Sequence, residues 1–337
     1  MNKTVFFSAL AVAGVAAGAA AAATLDDVKA RGTLNCGVTT GLVGFAAPNA
    51  DGEWEGFDVA VCRAVAAATL GDPNAVEFVP TTGKTRFTAL ASGEIDMLAR
   101  NTTWTFSRDV DLKFTFVGVN YYDGQGFMVP KDLGVASAKD LDGATVCIQT
   151  GTTTELNLAD FFRNNGISYE PVPIETNAEG QQLYLAGACD TYTTDASGLA
   201  ATRATFENPG DHVILPEIIS KEPLGPLVRH GDDEWGDIVR WTLNALIAAE
   251  ELGVTADNIE EMAANGAPEV KRLLGTEDTL GAMIGLDADW AAKAIAVAGN
   301  YGEIFEANIG EATQIGLARG LNAQWTDGGL LYTPPFR

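Results

Sequence analysis

The chain has 337 residues, of which 47% are hydrophobic and 20% are charged, and its formal net charge is −24. These proportions are those of a folded globular protein, and the length exceeds one ordinary core, so two domains are expected. The strong negative charge repels phosphate backbones and anionic lipid surfaces, which argues against nucleic acid as a partner.

The first 23 residues read MNKTVFFSALAVAGVAAGAAAAA, with Lys3 as their only charge. An apolar run behind a positive residue, closed by small residues in an A-x-A pattern, is typical of a secretory signal peptide. We therefore predict a signal peptide over 1–23, cleavage before Thr24 and an extracytoplasmic mature chain. The run is too short and too rich in alanine and glycine for a stable membrane anchor, and a first helix of the fold is the alternative.

Strand and helix signals alternate in the next hundred residues. Hydrophobic periodicity predicts strands over 34–38, 76–80 and 95–98, and helices over 56–70 and 85–92. Gly71 and Gly93 follow the two helices, which is common at helix ends. This order of elements predicts a mostly parallel sheet covered by helices.

The same order recurs further along the chain, with strands over 144–149, 169–174 and 189–194 and helices over 152–164, 178–186 and 196–205. Two candidate junctions, 120–132 and 222–230, contain prolines and flank this second unit. We therefore predict a first lobe made of 24–127 and 229–337, a second lobe made of 128–228, and two hinge strands between them. Helices are predicted over 234–251, 258–274 and 287–306, and the end from 317 reads as a loop that wraps a surface.

The four cysteines are Cys36, Cys62, Cys147 and Cys189. An even number in an oxidising compartment favours two disulfides, although the sequence allows three pairings and four buried free thiols are the alternative. We predict Cys36–Cys62 and Cys147–Cys189, one bond in each α/β unit. The cysteines lack C-x-x-C spacing and only two histidines accompany them, so neither a metal site nor a cofactor is expected.

Polar residues follow several predicted strands, where open α/β sheets bind ligands. The G-T-T-T-E run at 151–155 opens a helix, whose free N–H groups attract an anion. The alternative is a capped helix start without a ligand, in which Glu155 completes a capping box from Thr152.

Two further groups carry charge at strand ends. Arg108, in the run N-T-T-W-T-F-S-R-D at 101–109, can bind a carboxylate through two parallel hydrogen bonds, or pair with Asp109 at the surface. Asp195 can hold an ammonium group, or cap the helix that begins at Ala196. Together the three groups predict a ligand with a carboxylate and an ammonium, bound between two lobes that close on it.

Five motifs run through the chain: G-F-D at 56–58, N-T-T-W-T-F-S-R-D at 101–109, G-T-T-T-E-L-N at 151–157, Y-T-T-D-A-S at 192–197 and R-G-L-N-A-Q-W-T-D-G-G-L-L-Y at 319–332. In combination they resemble the solute-binding proteins of amino-acid ABC transporters, above all the general L-amino-acid-binding type, over essentially the whole mature chain. The resemblance implies an α/β, two-lobed periplasmic-binding-protein fold of type II. Each lobe then has a mostly parallel sheet flanked by helices, two hinge strands join the lobes, and a helical extension ends the chain.

The resemblance also implies roles for single residues. Arg108 matches an arginine that clamps the ligand α-carboxylate, assisted by donors from residues that match Thr103 and Thr153. Asn101 and Asp195 match residues that hold the α-ammonium.

The side-chain end of the ligand is less defined by the resemblance. Arg86 lies fifteen residues before Asn101, the spacing of an arginine that meets the side-chain carboxylate in binders of acidic amino acids. A solvent-facing helix arginine is the alternative. Many relatives have an aromatic shelf where this chain has Leu42, which weakens a stacking contact here. We include Thr39, Thr152 and Asn177 among the expected ligand contacts.

The implied function is the binding of free L-amino acids in the periplasm by cleft closure and their delivery to an inner-membrane ABC permease. Broad specificity that includes polar and acidic amino acids is expected, as is a monomeric protein that performs no chemistry. One alternative is an enzyme of the same fold, such as a dehydratase, which would need a general acid near the cleft; Glu155 is the candidate. The other is a sensory protein that binds the same ligands.

Overall fold

A computed structural model describes residues 23–278 and 280–337 of the chain. The predicted signal peptide, apart from Ala23, lies outside these residues. The first part of the described chain alternates strands and helices: α1 (Thr24–Arg31), β1 (Leu34–Thr39), β2 (Ala47–Pro48), β3 (Trp54–Glu55), α2 (Phe57–Leu70), β4 (Val76–Thr81), α3 (Arg86–Ser92), β5 (Met97–Leu98), β6 (Phe114–Phe116) and β7 (Tyr121–Asp123).

A second α/β unit follows, and its strands at 144–149 and 169–174 have the predicted bounds. Its elements are β8 (Gln125–Pro130), β9 (Ala144–Gln149), α4 (Thr153–Asn165), β10 (Tyr169–Ile174), α5 (Asn177–Leu185), β11 (Thr191–Asp195), α6 (Ala196–Ala204) and β12 (His212–Ile214). The chain then forms β13 (Glu222–Leu224) and β14 (Leu227–Arg229).

Two five-stranded sheets result, in the orders β4-β1-β5-β14-β6 and β10-β9-β11-β8-β12. In each sheet four strands run in one direction, and β14 or β8 runs against its neighbours. We call the first sheet, with α1–α3 and the C-terminal helices, the first lobe, and the second sheet with α4–α6 the second lobe. The two sheets are mostly parallel, as expected.

Between the sheets, β7 and β13 form a two-stranded antiparallel ladder, in which Asp123 lies opposite Glu222 and Tyr121 opposite Leu224. The chain therefore passes between the sheets at Gly124 and again at 225–226. The boundaries drawn from the sequence, at 127/128 and 228/229, cut through β8 and β14, because both strands continue directly from the hinge ladder.

The C-terminal part is helical, with α7 (Asp233–Glu251), α8 (Ile259–Asn265), α9 (Pro268–Leu273), α10 (Leu280–Met283), α11 (Trp290–Ala298) and α12 (Tyr301–Asn308). Two helices predicted as continuous are each broken. Pro268 begins α9, where its missing N–H costs nothing, and so separates it from α8. Asn300 begins α12 with a capping box completed by Glu303 and so separates it from α11.

Both predicted disulfides are present, Cys36–Cys62 and Cys147–Cys189, and all four cysteines are buried. The first bond joins β1 to α2, and the second joins β9 to the residues before β11. Each bond therefore fixes a helix or loop to the sheet of its own lobe and leaves the hinge ladder uncrosslinked.

Candidate functional site

The two lobes enclose a cavity at the carboxyl ends of their parallel strands. Its lining residues from the first lobe are Thr39, Leu42, Arg86, Arg100, Asn101 and Thr103; those from the second lobe are Gln149, Thr152, Thr153, Thr154, Asn177, Tyr192, Thr194, Asp195, Ser197 and Gly198. Every residue predicted as a ligand contact lies in this set, with the exception of Arg108. The structure thus brings together groups that are separated by more than a hundred residues in the sequence.

Arg108 is adjacent to the cavity but is not among its lining residues. Its Nη1 donates to the carbonyl oxygen of Thr103 at 2.8 Å, and its guanidinium carbon lies 5.2 Å from the centre of the Phe87 ring. The side chain is buried and belongs to a short π-helical turn, Ser107–Asp111. In the structure, Arg108 therefore holds the backbone of a lining residue instead of forming the wall itself.

Several lining residues were not predicted, among them Arg100, Gln149 and Tyr192. All three lie in or next to a strand: Gln149 ends β9, Tyr192 lies in β11 and Arg100 comes just after β5. The rule that ligands bind beyond the carboxyl ends of parallel strands applies to Gln149 and Arg100, whereas Tyr192 lies near the start of β11.

Three buried arginines lie at the cavity: Arg86 and Arg100 line it, and Arg108 lies beside it. None of them has a carboxylate within 4.0 Å in the part of the chain that the structure describes. Burial lowers the pKa of Arg100 and Arg108 to about 10 and that of Arg86 well below its usual range. Buried charges are normally paired, so three unpaired guanidinium groups at one cavity indicate an anionic ligand.

A half-buried carboxylate, that of Asp195, lies in the opposite lobe. Asp195 ends β11 at the start of α6, yet its side chain makes no capping hydrogen bond, so the capping alternative is not realised. Burial, together with the charges of Asp123 and Glu222, raises the pKa of Asp195 well above its usual range. Burial also raises the pKa of Asp123 to about 6, although Ser197 and Gly124 donate hydrogen bonds to it. A cation near Asp195 would relieve this accumulation of negative charge.

Some polar atoms at the cavity are buried without a hydrogen-bond partner among the described residues. They are Thr39 Oγ1, Arg86 Nε and Asn101 Oδ1. Asn101 has a positive φ of 36°, and its backbone N–H donates to Asp58 Oδ2 at 3.3 Å. Asp58, from the G-F-D motif, thereby fixes the strand-end loop. Unpartnered buried polar atoms are rare in folded proteins, and these three belong to residues that line the cavity.

Glu222, in the hinge strand β13, joins the two sides of the cleft. Its carboxylate is buried and accepts hydrogen bonds from the hydroxyls of Thr103 and Thr153, the latter at 3.0 Å. Asn157 Nδ2 and Ser220 Oγ also donate to it, at 2.7 and 2.6 Å. A hydroxyl has one proton, so the hydroxyls of Thr103 and Thr153, which donate to Glu222, have no further proton to donate to a ligand. The sequence singled out Glu222 only as the start of a junction.

Further contacts connect the lobes beside the cavity. Asn177 Nδ2 donates to the carbonyl oxygen of Gly41 at 3.3 Å, and Arg86 Nη2 donates to that of Gly151 at 3.4 Å. Gly83 lies so close to the second lobe that a Cβ atom on it would stand 2.6 Å from the carbonyl oxygen of Thr150. The structure therefore represents a closed cleft.

The helix start at 151–155 differs in detail from the predicted capping box. Thr152 Oγ1 donates to the carbonyl oxygen of Gln149 at 2.6 Å and makes no capping bond. Glu155 accepts from the backbone N–H of Gly151 at 2.9 Å and is not part of the cavity wall. The side chain of Thr152 is therefore held at the end of β9, where the residue lines the cavity. Glu155 binds the N–H of Gly151, one residue before the N–H of Thr152 that a capping box would engage.

Comparison with known proteins places this site in a family. The model of the bacterial extracellular solute-binding proteins, family 3, matches residues 34–258. The chain belongs to this family. Family 3 solute-binding proteins similar to it include the glutamate/glutamine/aspartate/asparagine-binding protein BztA of Rhodobacter capsulatus, 68% identical over all of both chains. The general L-amino acid-binding periplasmic protein AapJ of Rhizobium johnstonii is 59% identical over 97% of this chain and 96% of its own.

A solved structure of a family member is also similar to the chain. It is an ABC transporter periplasmic binding protein from Brucella ovis with glutathione bound, 57% identical, with a TM-score of 0.92 over 94% of this chain and 100% of that one. These relatives confirm the resemblance to binding proteins of amino-acid ABC transporters and the two-lobed fold. In residues 23–278 and 280–337 of the present chain, no helix is long and apolar enough to cross a membrane. No three His, Cys, Asp or Glu side chains in these residues converge on a metal site.

Proposed function

We propose that this protein binds free L-amino acids in the periplasm and delivers them to an inner-membrane ABC permease. The observation that carries the proposal is the pair of buried, unpaired arginines, Arg86 and Arg100, that lines one cavity together with the half-buried Asp195 of the opposite lobe. A zwitterionic ligand with a carboxylate for the arginines and an ammonium for the aspartate matches both sets of charges. The names of the relatives, which refer to amino-acid binding, support this interpretation.

For the α-carboxylate we propose Arg108 together with Thr103 and Thr153. Since the hydroxyl protons of both threonines point to Glu222, their backbone N–H groups are the donors that remain. Thr153 is the first residue of α4, where N–H groups lack partners within the helix and the helix dipole favours an anion. For the α-ammonium we propose Asp195 and the unpartnered Oδ1 of Asn101.

For the ligand side chain we propose a polar pocket that includes Arg86, with Thr39, Leu42, Thr152 and Asn177 as further contacts. A cation there favours glutamate and aspartate, and a carboxamide retains an acceptor oxygen for the same donors. BztA carries in its name the same four amino acids, glutamate, glutamine, aspartate and asparagine, which supports this set of ligands. Leu42 offers no aromatic face, so a single side-chain shape is not selected.

Ligand binding favours the closed state because only that state offers groups from both lobes to one molecule. The same cleft could in principle serve an enzyme, but Glu155, the candidate acid, is engaged with the backbone of Gly151 away from the cavity wall. We therefore propose binding without chemistry, by a monomer and without a cofactor.

The test is a thermal-unfolding screen of ligand-stripped protein with the twenty L-amino acids, their D-enantiomers and glutathione. A bound ligand stabilises the folded protein by mass action, so glutamate, glutamine, aspartate and asparagine should raise the melting temperature and the D-enantiomers should not. Glutathione is included because the Brucella ovis structure contains it and its γ-glutamyl end has the α-amino and α-carboxyl groups of free glutamate. Stabilisation by glutathione alone would contradict the proposal, and uptake of labelled glutamate by cells with and without the protein separates transport from sensing.

A further inference from the structure

Among the buried arginines at the cavity in the described chain, Arg100 is the one for which the sequence predicts no role. It follows strand β5 of the first lobe by two residues, and its side chain lines the cavity although the residue is only 5% exposed. The motif that predicts the site, N-T-T-W-T-F-S-R-D, begins at Asn101, and Arg100 is the residue before it. Its place at the carboxyl end of a central parallel strand is nevertheless typical of ligand contacts.

The hydrogen-bond donors of Arg100 are mostly free. A guanidinium group has five N–H donors, and in Arg100 only Nε has an acceptor, the carbonyl oxygen of Thr81 at 3.2 Å, within residues 23–278 and 280–337. Arg86 differs, because its two η nitrogens donate to Thr102 Oγ1 and to the carbonyl oxygen of Gly151. The bond to Thr81 anchors the Arg100 side chain and leaves its forked end available.

The charge of Arg100 is also uncompensated by any close carboxylate. The charges that act on it are those of Asp195, Arg108 and Asp58, none within 4.0 Å in the described chain. Burial lowers its pKa to about 10, so it stays protonated at neutral pH. Burying a cation without a partner costs free energy, which a ligand anion recovers. Tyr192, another lining residue that acts on Arg100, stays neutral because burial raises its pKa.

The three arginines therefore divide between two ligand groups. Arg108 donates from Nη1 to the carbonyl oxygen of Thr103, next to the proposed α-carboxylate contacts, and each η nitrogen of Arg86 already donates one of its two N–H groups to a protein acceptor. Of the three arginines, Arg100 is the one whose two η nitrogens both lack a protein acceptor among the described residues. A fork of this kind matches a second carboxylate through two parallel hydrogen bonds.

We propose that Arg100 is the specificity-determining residue that binds the side-chain carboxylate of acidic L-amino acids, with Arg86 as its neighbour in the same pocket. The inference rests on the proposed function, since it names the group that distinguishes the ligands of that site. Neutral amino acids bind the α-group contacts alone, and carboxamides make one of the two parallel hydrogen bonds.

The test is calorimetric titration of glutamate, glutamine and alanine into ligand-stripped wild type and the variants Arg100→Met, Arg100→Lys and Arg86→Met. Losing hydrogen bonds to a charged group should weaken glutamate binding to Arg100→Met by about 10- to 100-fold, glutamine by less, and alanine by no more than about 2-fold. Arg100→Lys keeps the charge without the fork and should fall between Arg100→Met and wild type. Arg86→Met should lower the glutamate-to-glutamine affinity ratio less than Arg100→Met does.

Arg163→Met is the matched control, because Arg163 is exposed in the second lobe and, among the described residues, forms an ion pair with Asp160 alone. Equal losses for glutamate and alanine in Arg100→Met, or an unchanged glutamate-to-alanine ratio, would overturn the inference. If Arg100→Met does not fold, the ratio in Arg100→Lys decides in the same way. Wild-type protein that binds none of the three amino acids refutes the proposed function, whereas binding of all three with an unaltered ratio refutes only the role of Arg100.

Discussion

The side-chain oxygens of Thr103 and Thr153 lie 3.3 Å apart, although the two residues belong to different lobes. Both hydroxyls donate to the carboxylate of Glu222, which lies in the hinge itself. Closure thus brings Thr103, in the loop after β5, and Thr153, at the start of α4, to the same buried carboxylate. The same movement completes the cavity. The contact gives the closed state hydrogen bonds that do not depend on which amino acid is bound.

Replacing Glu222 should therefore weaken binding of every ligand by a similar factor. In Glu222→Ala, the two threonine hydroxyls and Asn157 lose their acceptor, and we expect affinity for glutamate and alanine to fall about 10-fold each, a typical effect for hydrogen bonds to a charged group. Calorimetry measures the affinities. Glu217→Ala is the control, since its carboxylate accepts hydrogen bonds from Ser137 and Ala138, both within the second lobe. A loss confined to glutamate would contradict this role.

Gly83 provides a steric test of closure. A methyl group there would meet the carbonyl oxygen of Thr150 at 2.6 Å, and backbone atoms cannot move aside cheaply. We expect Gly83→Ala to hold the cleft partly open, to lower affinity for all ligands, and to leave the melting temperature of the ligand-free protein nearly unchanged. Small-angle X-ray scattering should show no compaction when ligand is added. Gly210→Ala, which meets no atom within 4 Å, should close normally.

Arg108→Ala tests the proposed α-carboxylate contact. All ligands share that carboxylate, so their affinities should fall together, by roughly 2–5 kcal/mol for truncating one partner of a buried charge pair. The change also removes the bond to the carbonyl oxygen of Thr103. Titration with glutamate, glutamine and alanine decides the matter, and undiminished binding would remove Arg108 from the site.

Asp195→Asn tests the ammonium contact. Amino acids should bind more weakly, while deaminated analogues, which lack the ammonium, should lose far less affinity. Equal losses for the two classes in competition titrations would indicate a structural role for Asp195.

The same contact predicts a dependence of affinity on pH. The pKa of Asp195 is raised in the ligand-free protein by burial and by the charges of Asp123 and Glu222, with Arg86 and Arg100 acting in the opposite direction. A carboxyl group with a raised pKa takes up a proton as the pH falls and then no longer attracts an ammonium. Affinity should therefore fall from pH 7 towards pH 5, and binding in this range should release protons. Calorimetry in buffers of different ionisation enthalpy measures the release, which should be smaller in Asp195→Asn.

Much of the cavity was predictable from the sequence because its residues follow strands. Strand periodicity predicts the ends of β9 and β11, and the motifs there contain Thr152 and Asp195. Thr39 ends β1 and is predicted without a motif. Arg100 also follows a parallel strand, β5, but it lies one residue before the motif that begins at Asn101. The breaks at Pro268 and Asn300 were also marked by their residue types.

The role of Glu222 could not be predicted from strand ends or motifs. Its partners Thr103 and Thr153 lie 119 and 69 residues away in the chain, and the contact exists only because the hinge ladder sets β13 beside the cleft. Arg108 shows a related limit: its motif was recognised, but the hydrogen bond that turns it to the carbonyl oxygen of Thr103 depends on the local π-helical turn.

Direct titration of glutamate into ligand-stripped protein tests the central claim, that the cavity binds a free L-amino acid through charges from both lobes. We expect saturable binding at one site per chain, lost or strongly weakened in Asp195→Asn and retained in the Arg163→Met control. The absence of binding by glutamate, glutamine, aspartate and asparagine, in protein shown to be folded and free of ligand, would contradict it.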